Sequence, residues 1–392
     1  MDFHVLTHLD GSYGLIVRFS VTMSIRTLFH FCILLFFIFL SYQIYQITQV
    51  SRSSKSYDTE KMPVHVLILS SWRSGSSFMG QIFNHHPDVF YLFEPGHPVW
   101  KRFGSLGVGA NLLHYPVRDL IRSLFTCDVT PLQQYVFGNG CYISSMSFFA
   151  ESRALCSPPS CSRPMLPEGY NRTICYQYCR NSTFENMAKT CDTYNHRVMK
   201  TVRILDFSVL RPLFWDPALD LRIIHLVRDP RAIASSRRYF SLSADDKVVL
   251  KEHDKTINAP VLAKICKAQA NINRMAKAEG HHLDGRYMLL RHEDLSREPI
   301  VNVRKIFQFS GLKMTTNFES WIYNITHIDE SDRIFIPFSK QSSKVIQKWR
   351  KTMDFNKVKE IEEYCKEAMD LFGYLPVSSE GDQKNMNIDF VL

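Results

Sequence analysis

An α/β domain, with a central parallel sheet flanked by helices and an N-terminal transmembrane helix ahead of it, is the fold this sequence predicts. Three observations carry that expectation. The apolar, β-branched-rich runs 64–69 and 221–227 each end in a polar turn that leads into helix-compatible sequence, the pattern of strands feeding helices. Further short strands are expected at 89–93, 196–202 and 286–291, separated by helical or irregular stretches. Near the start, 28–40 is strongly apolar and 41–50 continues it with Tyr, Gln and Ile, long enough to cross a bilayer.

From the N-terminus, residues 1–26 read as a cytoplasmic tail, 27–49 as a transmembrane signal-anchor helix, 50–61 as a polar stem, and 62–392 as one lumenal domain. A cleaved signal peptide is the rival for the apolar segment, but Tyr42-Gln43-Ile44-Tyr45 offers no small-residue cleavage site. Arg18 and Arg26 precede the segment while Arg52, Lys55 and Lys61 follow it, so flanking charge does not set its orientation. Met23 stands in frame as a second candidate start beside Met1.

Orientation comes from other features. Asn171, Asn181 and Asn324 each begin a glycosylation sequon, useful only on a lumenal face. Cys156, Cys161, Cys175, Cys179 and Cys191 crowd a cysteine-rich insertion at about 141–191, and Cys127, Cys141, Cys266 and Cys365 lie at or beyond its margins. Zinc ligation would call for Cys-x-x-Cys pairs, which are missing, so disulfides in an oxidising compartment are expected, with pairing left open. Nine cysteines in the lumenal part leave at least one thiol outside intramolecular pairs.

The chain has 392 residues, 45% of them hydrophobic, and a formal net charge of +9. That length supports a large core. The positive balance suits a polyanionic ligand, and without a zinc-finger, basic-zipper or RNA-binding motif no nucleic-acid partner is expected. Helical periodicity is clearest at 260–278 and 355–372.

The densest chemistry lies after the first strand, at Ser71-Trp72-Arg73-Ser74-Gly75-Ser76-Ser77. Small residues let backbone N–H groups curl around an anion, and the following helix aims its positive end at the same point. Arg73 adds a planar fork of donors. The competing reading is an ordinary strand-turn-helix connection. The Lys and Ser/Thr of a nucleoside-triphosphatase loop are missing after Gly75, so neither phosphoryl transfer nor a magnesium site is expected.

A second anion site follows the 221–227 strand, at Arg228-Asp229-Pro230-Arg231-Ala232-Ile233-Ala234-Ser235-Ser236. Pro230 suits a first helical turn and Asp229 suits its N-cap. Arg228 and Ser236 are placed to face one phosphate, although a basic cluster of this kind also occurs as a solvated helix face.

Taken together, the two motifs resemble the 5′-phosphosulfate and 3′-phosphate loops of the Golgi carbohydrate sulfotransferases, nearest the branch that sulfates the 6-hydroxyl of N-acetylglucosamine. The stretches 86–95, 152–161 and 321–327 add to the likeness, which spans about residues 62–390. The resemblance implies a P-loop-like sulfotransferase fold and a single-pass type II Golgi membrane protein. Its donor would be 3′-phosphoadenosine 5′-phosphosulfate (PAPS), with no metal, and its acceptor a keratan-like or mucin-type glycan carrying N-acetylglucosamine. The oligomeric state stays open, a homo-oligomer included.

On the same resemblance, residues 71–77 wrap the 5′-phosphosulfate, Arg73 stabilises the departing oxygen, and 228–236 holds the 3′-phosphate. Glu94 is the candidate base, with a structural role before Pro95 as its alternative and His97 as a second base candidate. Lys200 and Arg203 are candidates for the acceptor or the donor, and Lys348-Trp349-Arg350 for closing over the nucleotide. Phe93-Glu94-Pro95-Gly96-His97-Pro98-Val99-Trp100 stands where Met-Glu-Pro-Ala-Trp-His-Val-Trp is typical, and Lys200-Thr201-Val202-Arg203 replaces Lys-Glu-Val-Arg. These departures bear on which sugar is the acceptor, so galactose and N-acetylgalactosamine remain alternatives. A membrane protein that binds glycan or nucleotide without catalysis is the reading from another class.

Overall fold

The structure is a computed structural model that describes residues 26, 30, 33–43, 62–136, 142–162, 170–238, 243–250, 261–327 and 346–392. Two compact units divide the chain at residues 61 and 62. In the first, residues 33–43 are helical and exposed. Among the described residues no helix is long and apolar enough to cross a membrane. Most of the expected tail, the ends of the expected 27–49 span, and the 50–61 stem lie outside the described residues.

The second unit is built on five parallel strands: β1 (Val64–Ser70), β2 (Val89–Phe93), β3 (His196–Thr201), β4 (Asp220–Val227) and β5 (Tyr287–Arg291). Their order is β2-β3-β1-β4-β5, so connections leave the central strand β1 toward both edges. The C-terminal ends of β1 and β4 are therefore neighbours at a topological switch point, where open α/β sheets bind ligands. In register, Ser70 at the end of β1 pairs with Leu226 of β4.

All five strands coincide with expected ones. The mainly apolar runs of β1, β2 and β4 are explained by burial on both faces, whereas β3 also buries Arg197, Lys200 and Thr201. Leu67 and Leu69 of β1 join Phe90, Leu92, Met199 and Ile223 on one face, where Leu113, Val117 and Ile121 pack from one helix and Ile265 and Ile272 from another. Val64, Val66 and Ile68 join Tyr91, Val198, Ile224 and Leu226 on the other, beneath Ile82, Phe83, Ile306 and Ile322.

In chain order the helices that matter below are α1 (Ser76–His85), α2 (His97–Gly104), α3 (Ala110–Phe125), α4 (Arg172–Cys179), α5 (Phe184–Asp192), α6 (Pro230–Arg237), α7 (Ser243–Leu250), α8 (Val261–Ala278), α9 (His292–Arg297), α10 (Pro299–Ser310), α11 (Thr316–His327), α12 (Lys348–Thr352), α13 (Phe355–Tyr364) and α14 (Lys366–Phe372). The helix expected over 355–372 is two helices, broken at Cys365. Cys365 is drawn into a disulfide with Cys266 of α8, and its backbone leaves helical geometry there. Periodicity hid the break because both halves present apolar residues to the same layer, with Val358, Ile361, Met369 and Phe372 all in one cluster.

The pairing that the sequence left open is Cys127–Cys191, Cys156–Cys175, Cys161–Cys179 and Cys266–Cys365. Cys141 lies outside the described residues. Two bridges staple α4 to the irregular 154–161 segment, and the first ties the end of α3 to α5. Arg153 anchors this insertion to the domain: its guanidinium donates to the carbonyls of Asn84, His86 and Pro87 at 3.0–3.1 Å. Asn171 caps α4 through its own side chain, and Asn171, Asn181 and Asn324 are all exposed.

Candidate active site

The loop between β1 and α1 is shaped by two left-handed residues, Arg73 at φ 68° and Gly75 at φ 87°. Such a turn points successive N–H groups into one concavity. Gly75 is the N-cap of α1 and gives it no side-chain cap, and the first turn holds no acid, so the amides at this end remain open to an anion. A side chain at Gly75 would collide with the His292 ring. The loop is braced from beneath by serines: Ser70 Oγ donates to the Leu226 carbonyl at 2.7 Å, and Ser74 Oγ to that of Ser71 at 2.7 Å.

The loop after β4 meets this one directly. Arg228 Nη1 donates to the Arg73 carbonyl at 2.8 Å, and Arg73 Nε donates to Ser236 Oγ at 3.0 Å. The two guanidinium groups are thus neighbours, with Glu293 and Asp229 close to Arg228. Burial and the neighbouring Arg228 both lower the pKa of Arg73, an arrangement that an anion would relieve.

Within 228–236, the side chains divide. Asp229 caps α6 by accepting the Arg231 N–H at 2.8 Å, which closes that helix end to another anion. Arg231 is fully buried and spends its donors on Asp229, Glu362 and the Leu375 carbonyl. Ala232 and Ile233 are buried, Ala234 is half-buried, and Ser235 bonds Thr352 of α12. Arg228 and Ser236, at the two ends of the motif, are the side chains that reach the first loop.

Beside the loops, at the ends of β2 and β3, Glu94 is held by two cations, Lys200 and Arg203. Its backbone N–H still bonds the Lys200 carbonyl at 3.0 Å, after which the chain turns through φ 48°. A non-glycine residue in that region just before a proline is strained, and such strain gathers at functional sites. Burial pushes the Glu94 carboxyl up, but Lys200 and Arg203 outweigh it and hold the pKa at about 2. The buried Lys200 lies over the Phe93 ring at 4.1 Å. His97, in the same corner, has its pKa lowered by burial and then by Arg203, and its Nδ1 lies 3.4 Å from Ser147 Oγ of the cysteine-rich insertion.

A family model described as a sulfotransferase domain matches residues 63–373. The chain is 42% identical to human carbohydrate sulfotransferase 6 over 84% of its own length and 85% of the relative's. The chain belongs to the carbohydrate sulfotransferase family. Human carbohydrate sulfotransferase 5 is also 42% identical, over 84% of this chain and 82% of that one. Mouse carbohydrate sulfotransferase 4 is 39% identical over 85% and 88%. The fold is accordingly a sulfotransferase fold, with its central parallel sheet flanked by helices.

In this carbohydrate sulfotransferase the residues read from the sequence fall into two groups. Residues 71–77, Arg228, Ser236, Glu94, Lys200, Arg203 and His97 gather at the C-terminal edge of the sheet. Trp349 and Arg350 do not open onto it. Trp349 is buried under the Arg231 guanidinium, 4.3 Å from its ring centroid, and Arg350 donates to the carbonyls of Gln383, Ile388 and Asp382. Two further residues complete the site, Asp245 without any sequence signal and Trp100 only as the end of the 93–100 stretch. Asp245 accepts from Trp72 Nε1 and from Arg203 Nη2, each at 2.9 Å, and Trp100 packs on Trp72 at 5.6 Å. Acids in a helix's first turn are common enough that Asp245 did not stand out.

Proposed function

We propose that this chain transfers the sulfuryl group of PAPS to the 6-hydroxyl of N-acetylglucosamine in keratan-like or mucin-type glycans. The contact between the two loops, Arg228 to the Arg73 carbonyl and Arg73 to Ser236, is the observation that carries the reading. A donor with phosphate at both its 3′ and 5′ ends needs two anion sites a nucleoside apart, and one contact unites them. In the reaction the acceptor oxygen attacks sulfur, the bond from sulfur to the bridging phosphate oxygen breaks, and 3′-phosphoadenosine 5′-phosphate (PAP) leaves. Residues 71–77 and Arg73 receive the growing negative charge on that oxygen. Glu94 takes the proton of the hydroxyl.

Lys200 and Arg203 keep Glu94 ionised before the reaction, the state a base requires, and lower its affinity for the proton. The base therefore gains strength as either cation turns toward the transferring sulfuryl oxygens. Charge stabilisation by these side chains and the loop amides is sufficient for the chemistry, and no metal is invoked. We further propose the organisation of a single-pass type II Golgi protein: tail 1–26, anchor 27–49, stem 50–61 and lumenal catalytic domain 62–392, with glycans at Asn171, Asn181 and Asn324.

One observation favours a second acceptor. Thr201 and His97, which depart from the family's usual residues, both flank Glu94 and Arg203: Arg203 N–H donates to Thr201 Oγ1 at 3.2 Å, and His97 N–H to the Glu94 carbonyl at 3.0 Å. Galactose or N-acetylgalactosamine is the alternative on that ground. The test is transfer of labelled sulfate from PAPS by the full chain to glycans ending in each of the three sugars. Sulfate at the 6-position of N-acetylglucosamine is expected; label on another sugar alone moves the acceptor, and PAP binding without any transfer refutes the enzyme reading.

A further inference from the structure

We infer that Asp245 is a positioning residue of the transfer site, coupling the donor loop to the cation that clamps the base. The inference rests on the activity proposed above and names a residue outside the two phosphate motifs. A single oxygen, Oδ2, accepts from Trp72 Nε1 of the donor loop and from Arg203 Nη2 of the acceptor corner, both at 2.9 Å. Trp72 and Arg203 are each about nine-tenths buried or more, so these bonds are made with little competition from water.

Arg203 depends on this oxygen for its orientation. Its Nη1 engages Glu94, its Nη2 engages Asp245, and its Nε is buried with no hydrogen-bond partner among the described residues. The guanidinium lies 5.9 Å from the Trp72 ring and 5.8 Å from that of Trp100. Bound at both ends beside the packed pair of indoles, it holds one attitude toward Glu94. Without Asp245 it is held by Glu94 alone.

The helix bearing Asp245 is itself tied to the second loop. Asp246 pairs with Arg237 at 2.5 Å, one residue beyond Ser236, the partner of Arg73. The first turn of α7 thus contacts the 5′ loop through Trp72, the 3′ segment through Arg237, and the acceptor corner through Arg203. The other charged or titratable groups facing that corner are Lys200, Glu94 and His97, with Glu151, Tyr91 and Lys101 acting on these from neighbouring elements. Asp245 is the acid that shares Arg203 with Glu94, so losing its charge commits Arg203 more fully to Glu94 and weakens Glu94 as a base.

Asp245→Asn keeps an acceptor for Trp72 while removing the charge that holds Arg203. In the full chain we expect kcat to fall at least ~10-fold, a modest case of misplaced catalytic geometry, with PAP affinity within about twofold of the parent. The acidic limb of the rate profile should move to lower pH. Parent values of kcat and an unmoved limb would overturn the inference. Should that variant fail to fold, Asp245→Glu keeps the charge one methylene out of place, and unchanged kcat with unchanged pH profile again overturns it. A parent chain that transfers no sulfate counts against the proposed reaction instead. Asp245 is then judged by the 19F resonance of 5-fluorotryptophan at Trp72, identified with Trp72→Phe. A shift of that signal on PAP binding that Asp245→Ala abolishes supports the coupling, and one that persists refutes it.

Discussion

Glu94 combines three properties that rarely coincide in a structural carboxylate: a left-handed backbone, two cationic partners and a place beside the loop between β1 and α1. A cap before proline would need none of the cations. Glu94→Gln keeps the size and one acceptor for Lys200 or Arg203 but loses the base. Turnover should therefore fall ~100-fold or more, the usual worth of a positioned general base, while PAP affinity changes less than about twofold. Calorimetric titration with PAP beside a sulfate-transfer assay checks both halves, and an active variant removes Glu94 from the role. The same region shows what residue-level reading achieved. Arg73, Arg228 and Ser236 stand out by residue type next to strand ends, and the fold brings them together. Asp245 does not stand out, since it enters from a helix more than 150 residues after Trp72.

Among elements, the pair α13 and α14 shows where periodicity fails. A run of apolar residues at helical spacing says which face is buried but is blind to a local break that keeps that face. The bridge from Cys266 to Cys365 joins positions 99 residues apart and ties α8, behind the sheet, to the C-terminal helices that bury Arg231 through Glu362. Replacing both cysteines with alanine should destabilise the domain by about 2–5 kcal/mol, the usual range for a native bridge. Arg231 braces α6, so PAP binding should weaken along with the melting temperature. Thermal melts with and without PAP give the comparison, and an unchanged melting temperature would show that packing alone secures this layer.

For the molecule as a whole, buried histidines shape the response to acid, among them three with the same large shift. Burial lowers His65, His114 and His225 to about 4 from the ordinary 6.5. His65 faces the Phe125 carbonyl, His114 accepts the Leu205 N–H, and His225 bridges Tyr287 and Gln269. Between those two values the unfolded chain binds protons that the folded chain does not. Their stabilisation is complete above about pH 6.5 and is lost as pH falls through about 4. Glu94 adds to the loss only below about 4.5. The urea midpoint should therefore drop between about pH 7 and about pH 5, where carboxylates such as Glu94 contribute little. A midpoint that holds steady across that interval would refute the assignment.

By itself the sequence determined the strands, their parallel arrangement, the two strand-to-helix loops and the family, because each depends on local residue type or on short-range period. Strands buried on both faces are rich in apolar residues, and small polar residues mark the turns that lead into the helices. Tertiary structure alone decided the cysteine pairing, the break at Cys365, the burial of Arg231, Trp349 and Arg350, and the sharing of Arg203 between Glu94 and Asp245. Each of these is a contact between segments far apart in the chain. Any basic residue in a motif reads alike until the fold shows what its donors meet: carboxylates and carbonyls of the C-terminal segments for Arg231 and Arg350, the facing loop for Arg73 and Arg228.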